Sequence, residues 1–177
     1  MAASRARSIQ RLTQLTKLLD TQQAKIGVVG LGYVGLPLAV EFAKRGFSVT
    51  GIDVDLRRVT EVNAARSYIA DVPSQELSEL VRTSTLRATR TFEDVAHLDA
   101  IIICVPTPLR KTREPDMSYI VGAVQEIAKA LRPGQLIVLE STTYPGTTDE
   151  VILPMLEGRG LKVGRDFSLA FSPERID

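Results

Sequence analysis

The sequence predicts an α/β fold: a doubly wound, mostly parallel sheet with helices on both faces. Three observations carry that prediction. Strand-like apolar runs alternate with helix-period segments along most of the chain. Residues 100–105, AIIICV, are apolar without interruption, as a parallel strand buried on both faces requires. Residues 25–55 pass from strand to glycine-rich turn to helix to a second strand, and end on an acid.

The elements follow in order. Ile9, Leu12, Leu15, Leu18 and Leu19 recur at roughly helical spacing, so residues 1–24 form an amphipathic helix expected to cover one face of the sheet. Residues 26–29 are β-branched-rich and form the first strand. The turn Gly30-Leu31-Gly32-Tyr33-Val34-Gly35 follows, then a helix with Leu38, Ala39, Phe42 and Ala43 on one face. Residues 48–52 form a second strand, ended by Asp53, and a helix runs on to about residue 65. A short helix fits 74–81 with Ser74 as its cap, and a short strand fits 86–88. Thr91 opens Thr-Phe-Glu-Asp, a capping signal for one helical turn before the strand at 100–105. Asp116 or Ser118 caps the next helix, whose face is Ile120, Val124, Ile127, Ala128 and Leu131, and Pro133-Gly134 ends it. A strand at 135–139, a helix from Thr147 or Thr148 through Leu156, and a strand at 167–171 complete the pattern. Residues 25–177 therefore form one Rossmann-type domain behind the leading helix.

With 177 residues, the chain is long enough for one sizeable core. A formal net charge of +1 gives no electrostatic ground for nucleic acid or a membrane surface as partner. No apolar run reaches the roughly 18 residues of a membrane span. One cysteine excludes an internal disulfide framework and fits a reducing compartment, so a cytoplasmic protein is expected. The first residues are basic, serine-containing and acid-free, a composition shared with transit peptides.

The glycine turn carries the chemistry. Gly30 permits the tight exit from the strand, Gly32 lets a pyrophosphate approach the backbone, and Gly35 lets the helix pack against the sheet. The free N–H groups of the helix start face the phosphates, and Pro37 costs little in the first turn. Asp53 lies about 20 residues on, where a carboxylate binds the adenosine ribose and repels a 2′-phosphate. The expected cofactor is NAD rather than NADP. Other residues of interest also follow strands. Pro106-Thr107-Pro108 stiffens an exit and offers a hydroxyl, although the same pattern describes an ordinary loop. Residues 140–148, ESTTYPGTT, gather four threonines and a serine beside a helix start; an N-cap loop has the same composition. Glu174 follows the last strand and suits water or proton handling, or is a surface acid. No metal-ligand cluster is visible. Cys104, inside its strand, reads as a small buried hydrophobe, and His97 as a loop residue.

Five segments together, GLGYVGLPLAVEFAKRGFSVTGIDVD, CVPTPL, REPDMSYI, LESTTYPGTT and FSPERID, resemble the N-terminal NAD-binding domain of the UDP-glucose/GDP-mannose dehydrogenase family, over residues 25–177. REPD and SPERID are most similar to the UDP-N-acetylglucosamine 6-dehydrogenases within it. The resemblance implies oxidation of a sugar C6 alcohol to a carboxylate with two NAD, by way of a covalent cysteine adduct. It places Tyr33 and Val34 against the pyrophosphate, Asp53 on the ribose, Arg58 near the adenosine end, and Pro106, Thr107 and Thr142 at the cofactor. It further implies that Thr142 touches the catalytic water network and that Glu174 assists thioester hydrolysis. The family's nucleophilic cysteine and most sugar contacts lie in later segments. The 177 residues are therefore expected to bind NAD without turnover and either to be monomeric or to associate through the apolar surface that the missing segments would cover, whereas the full-length protein is expected to be a homodimer or larger. Two other readings stay open: a non-catalytic NAD-sensing module, and a β-hydroxyacid dehydrogenase. The substrate-side motifs at 140–148 and 173–177 argue against the first, and the absence of a serine-glycine-rich substrate loop argues against the second.

Overall fold

The computed structural model describes residues 2–108 and 115–173. Its centre is a sheet of six strands: β1 (Lys25–Val29), β2 (Ser48–Ile52), β3 (Leu86–Thr89), β4 (Ala100–Ile103), β5 (Leu136–Leu139) and β6 (Ser168–Phe171). Their order is β3-β2-β1-β4-β5-β6, and every pairing is parallel. The order reverses between β1 and β4, which is the switch point where such sheets open a crevice.

The central strands β1, β2 and β4 are buried on both faces. In β4, Ala100 and Ile102 join one core cluster while Ile101 and Ile103 join the other. This period-2 division explains the unbroken apolar run, because a strand covered on both sides has no polar face. The first cluster is roofed by α2 (Gly35–Lys44), through Leu36, Ala39, Val40 and Ala43, and by α4 (Ser74–Arg82), through Leu77 and Leu80. The second lies under α5 (Ser118–Ala130), through Ile120, Val124 and Ile127, and α6 (Leu153–Glu157), through Leu156. The burial of a side chain such as Ile127 or Leu36 stabilises the fold by about 1.5–3 kcal/mol. The helix α3 (Leu56–Asn63) closes the β3 edge in a further way: the Asn63 amide donates to the Ala88 carbonyl and accepts from the Ala88 N–H. One side chain thus imitates a neighbouring strand and satisfies an exposed sheet edge.

Several local signals act differently from their sequence reading. Asp116 accepts the Ser118 N–H and Thr91 accepts the Glu93 N–H, each from one residue before the cap position, which Met117 and Phe92 occupy without a side-chain bond. Ser74 does not cap α4; it is the first helical residue behind Pro73, and its hydroxyl accepts the Ser67 N–H instead. The helix expected from Thr147 begins as a π-turn over Thr147–Ile152, because Gly146 at φ 89° sets the chain off in a wide first turn before α6.

The leading helix α1 (Ala2–Asp20) lies along the amino ends of the strands rather than across a face. Leu15 is buried, and Leu18 and Leu19 rest against the first cluster. Further out, Arg11 donates to the Asp166 carboxylate at 2.8 Å and to the Arg165 carbonyl at 3.1 Å, in the loop that feeds β6. Ile9 and Leu12 are left exposed. The same amino edge is tied by Gln135, whose fully buried amide donates to the Val95 and Leu98 carbonyls, and by Arg132 against Asp99.

The hydrogen-bonded Arg165 guanidinium, aided by the Lys162 N–H and Arg11, holds the Asp166 carboxyl down at about 2. A lowered carboxylate value stabilises the folded form above the unfolded value of 3.8 and loses that contribution as pH falls toward about 2, with Arg11 of α1 supplying a smaller share than Arg165. Replacing Asp166→Asn should therefore speed amide exchange over residues 15–20 several-fold at neutral pH while β1 and β4 stay protected. In the parent chain the same loosening should begin only below pH 3.8. Equal protection of α1 in both proteins at neutral pH would show that the ion pair does not hold the helix.

Candidate functional site

The site begins in the turn between β1 and α2. Gly30 sits at φ 93°, and a Cβ there would stand 2.6 Å from the Cys104 carbonyl oxygen. A Cβ on Gly35 would fall 1.7 Å from the Gly30 carbonyl oxygen. Both glycines are therefore demanded by the fold itself. Gly32 is different. Its φ is ordinary, and an added Cβ would meet nothing nearer than the Arg58 guanidinium at 4.0 Å. No internal packing explains its bare backbone; the space above it does, because that space is a cradle a Cβ would fill. The N–H groups of Gly32, Tyr33 and Val34 have no hydrogen-bond acceptor among the described residues, and they open the positive end of α2.

The turn is held from two sides. Leu31 N–H donates to Asp53 Oδ2 at 2.7 Å, and the Leu31 carbonyl accepts the Tyr68 hydroxyl at 2.7 Å. Asp53 is buried at the end of β2. Its Oδ1 accepts the Asp55 N–H at 2.9 Å, and Arg58 from the first turn of α3 reaches Oδ2 at 3.2 Å. Asp55 in turn caps α3 by accepting the Arg57 N–H. Burial, and next the Asp53 charge, push the Tyr68 phenol up to about 12.

Two joined clefts open on the carboxyl edge. The larger, of about 520 Å³, runs from Gly30, Asp53 and Val54 to Tyr119, Gly122 and Glu126 on α5. The smaller, of about 280 Å³, lies over Gly32, Tyr33 and Val34 and reaches Thr107, Ser141 and Thr142. Arg58, Val105 and Pro106 line both, so the two form one elongated groove across the switch point. Tyr33, Val54, Leu56, Tyr119 and Tyr144, all exposed apolar side chains, also lie on elements of this edge.

Gly30, Gly32, Tyr33, Val34, Asp53, Arg58, Pro106, Thr107 and Thr142 thus meet at one groove. Gly35 sits beneath it as a packing residue. Glu174, and Arg113 and Glu114 of the REPD segment, lie outside the described residues. The loops after β4 and β5 are stitched together: the Thr107 hydroxyl donates to the Thr142 carbonyl at 2.8 Å, and the Ser141 hydroxyl to the Val105 carbonyl at 2.7 Å. The expected bank of free hydroxyls over 140–148 is accordingly smaller. Ser141 and Thr147 are buried and engaged internally, Thr147 with the Tyr144 carbonyl, while Thr142 is exposed in the smaller cleft. Cys104 is buried under the glycine turn at the wall of the smaller cleft, and His97 lies in the turn that feeds the amino end of β4.

The sequence reading missed Tyr68, Val54, Tyr119 and Gly122. Only Gly122 left a signal. A glycine inside a helix costs about 1 kcal/mol, and at this one an added Cβ would meet nothing within 4 Å. Like Gly32, it is a glycine that the packing does not require, and it lines the groove.

Residues 24–177 match the UDP-glucose/GDP-mannose dehydrogenase family, NAD binding domain. The chain is 41% identical to a UDP-N-acetyl-D-glucosamine 6-dehydrogenase of Pseudomonas aeruginosa and 36% identical to a UDP-N-acetyl-D-mannosamine dehydrogenase of Pyrococcus horikoshii. Each match covers 86% of this chain and 36% of the relative, so the chain spans about a third of the length of these curated relatives. A GDP-mannose dehydrogenase of Pseudomonas aeruginosa, solved as a ternary complex, superposes with a TM-score of 0.81 at 34% identity, over 86% of this chain and 36% of that one.

The contrast between the glycines is testable. Gly32→Ala should leave the melting temperature unchanged and weaken dinucleotide binding about tenfold or more, since it fills only the cradle. Gly35→Ala should cost about 3 kcal/mol or more, a fall of about 6–12 °C, because its Cβ lands on backbone. Thermal melts and calorimetric titration of the two variants check both. A destabilised Gly32→Ala protein would mean that the fold needs that glycine after all.

Proposed function

The chain belongs to the UDP-glucose/GDP-mannose dehydrogenase family, as its NAD-binding domain, and on that premise we propose that it is the cofactor half of a UDP-sugar 6-dehydrogenase, with UDP-N-acetylglucosamine as the substrate of the whole protein. The observation that carries the cofactor reading is the bare Gly32 backbone in an elongated groove, with N–H groups that have no acceptor among the described residues on one side and a buried carboxylate on the other. NAD fits this donor set. Gly32, Tyr33 and Val34 would hold the diphosphate by their N–H groups, Asp53 the adenosine ribose, and the Val54 and Tyr119 side chains the apolar base. Bound NAD supplies the hydride acceptor.

The chain's own residues contribute orientation and exclusion. The Asp53 carboxylate favours a free ribose diol over a 2′-phosphate by charge. Arg58, spanning both clefts, is held by Asp53 and so stays at the ribose end. Thr107 and Ser141 fix the mouth of the smaller cleft and leave Thr142 facing it. In the proposed overall reaction, the sugar CH2OH becomes a carboxylate. Two hydrides leave in two NADH, one water supplies the second oxygen, and protons are released. Thr142 is assigned to the water network of this reaction and Glu174 to its hydrolytic half, both from the family resemblance. The 177 residues by themselves are assigned cofactor binding without turnover. Among the described residues no helix is long and apolar enough to cross a membrane, and the single cysteine is buried in the core, which fits a reducing cytoplasm.

The REPD and SPERID segments and the 41% identity support N-acetylglucosamine as the sugar. The N-acetylmannosamine relative at 36% is the nearest competing reading, followed by UDP-glucose. Turnover assays of the whole protein with the three UDP-sugars separate them.

Calorimetry of these 177 residues should show saturable NAD binding and weaker NADP binding. Asp53→Asn should weaken NAD about tenfold or more, since it loses charge-assisted hydrogen bonds, and should narrow the gap to NADP. No NADH should form at 340 nm with any of the three UDP-sugars. Equal affinity for NAD and NADP, or none for either, would sink the cofactor assignment.

A further inference from the structure

We propose that Tyr68 is a positioning residue of the diphosphate-binding turn: its hydroxyl, by holding the Leu31 carbonyl, sets the direction in which the Gly32 N–H points. The proposal rests on the dinucleotide reading above and adds to it a residue outside the glycine fingerprint.

A peptide unit is planar and trans, so its C=O and N–H point opposite ways. The Leu31 carbonyl and the Gly32 N–H belong to one such unit. With the carbonyl tied to Tyr68 at 2.7 Å, the N–H is turned to the other side of the chain. The preceding unit is fixed as well, because the Leu31 N–H is tied to Asp53. Both peptides around Leu31 are thus set by side chains distant in sequence. Gly32 itself has no Cβ to restrict its rotation, so without the clamp the turn would sample many conformations. A clamped turn meets this entropic cost on folding rather than on binding.

Tyr68 is well placed for the task. It lies in the connection between α3 and α4, with its side chain packed against the first core cluster. That connection is anchored by buried Ile69 and Val72, by the Ser67 N–H to the Ser74 hydroxyl, and by the Ser67 hydroxyl, which donates to the Ile69 carbonyl. The hydroxyl also stays a donor. Burial and the charges of Asp53 and Asp55 keep the phenol protonated, against the smaller opposing pull of Arg58 and Arg57, up to about 12. The clamp is therefore insensitive to pH over the working range of a protein.

Tyr68→Phe removes the hydroxyl and keeps the ring. Titrating the parent chain and the variant with NAD, ADP-ribose and adenosine separates the possibilities. The expected result is about tenfold weaker binding of the two diphosphate ligands and adenosine affinity within about twofold. In the ligand-free variant, the Gly32 amide resonance should shift and the amides of residues 31–34 should exchange faster. If all three ligands weaken alike, Tyr68 is a general support of the ribose end and the proposal fails. It also fails if the variant binds NAD as the parent does and the Gly32 amide is unmoved. If the parent chain binds none of the three, the dinucleotide reading itself falls and the clamp with it; if the parent binds and only the variant's behaviour disappoints, the clamp alone is lost.

Discussion

The Asp53 carboxylate, by accepting the Leu31 N–H, ties the exit of β1 to the end of β2 and, through Asp55 and Arg58, to the start of α3. Asp53 is buried, so this carboxylate has left water and must be compensated by donors. Leu31, Asp55 and Arg58 supply them. The consequence is a glycine turn that is already shaped before any ligand arrives. Tyr68 completes the restraint from the opposite side of Leu31. A residue usually described as a ribose ligand is here also a brace for the phosphate end. On the proposed reading, one carboxylate thereby couples the two halves of a dinucleotide site.

The sheet gives that turn its place. All strands run parallel, so all their exits emerge on one edge. The opposite edge is closed by Gln135, Arg132 and the docked α1. The exit edge stays open, and the reversal of strand order between β1 and β4 parts the loops to leave a groove. Two glycines that packing does not need, Gly32 and Gly122, line that groove on different elements. The small residues and the open edge point to the same occupant.

The fold was legible because parallel strands buried on both faces leave long apolar runs, and because the 25–55 segment is a fingerprint with a fixed geometry. The strand bounds at 48–52 agree with β2 residue for residue. The rest depended on tertiary placement that local sequence does not encode. Ser74 reads as a cap by type, yet Pro73 before it fixes the entry and frees the hydroxyl for Ser67. Ser141 and Thr147 look like ligand donors until their burial shows them serving backbone carbonyls. The apolar stripe of α1 suggests a face-covering helix; in the structure Leu15 is buried and Arg11 pairs with Asp166 in the loop that feeds β6, at the amino edge. Tyr68 carries no motif, because its partner is a backbone carbonyl 37 positions away.

On the proposed reading, the preformed turn and the groove across the switch point are one dinucleotide site. Amide chemical-shift mapping of the isotope-labelled chain during an NAD titration tests it most directly. The largest shifts should fall on Gly32, Tyr33 and Val34, on Val54 and Arg58, on Tyr119 and Gly122, and on Thr107 and Thr142, while residues 162–167 and α1 at the amino edge stay still. Shifts centred on the amino edge, or spread evenly over the sheet, would contradict it.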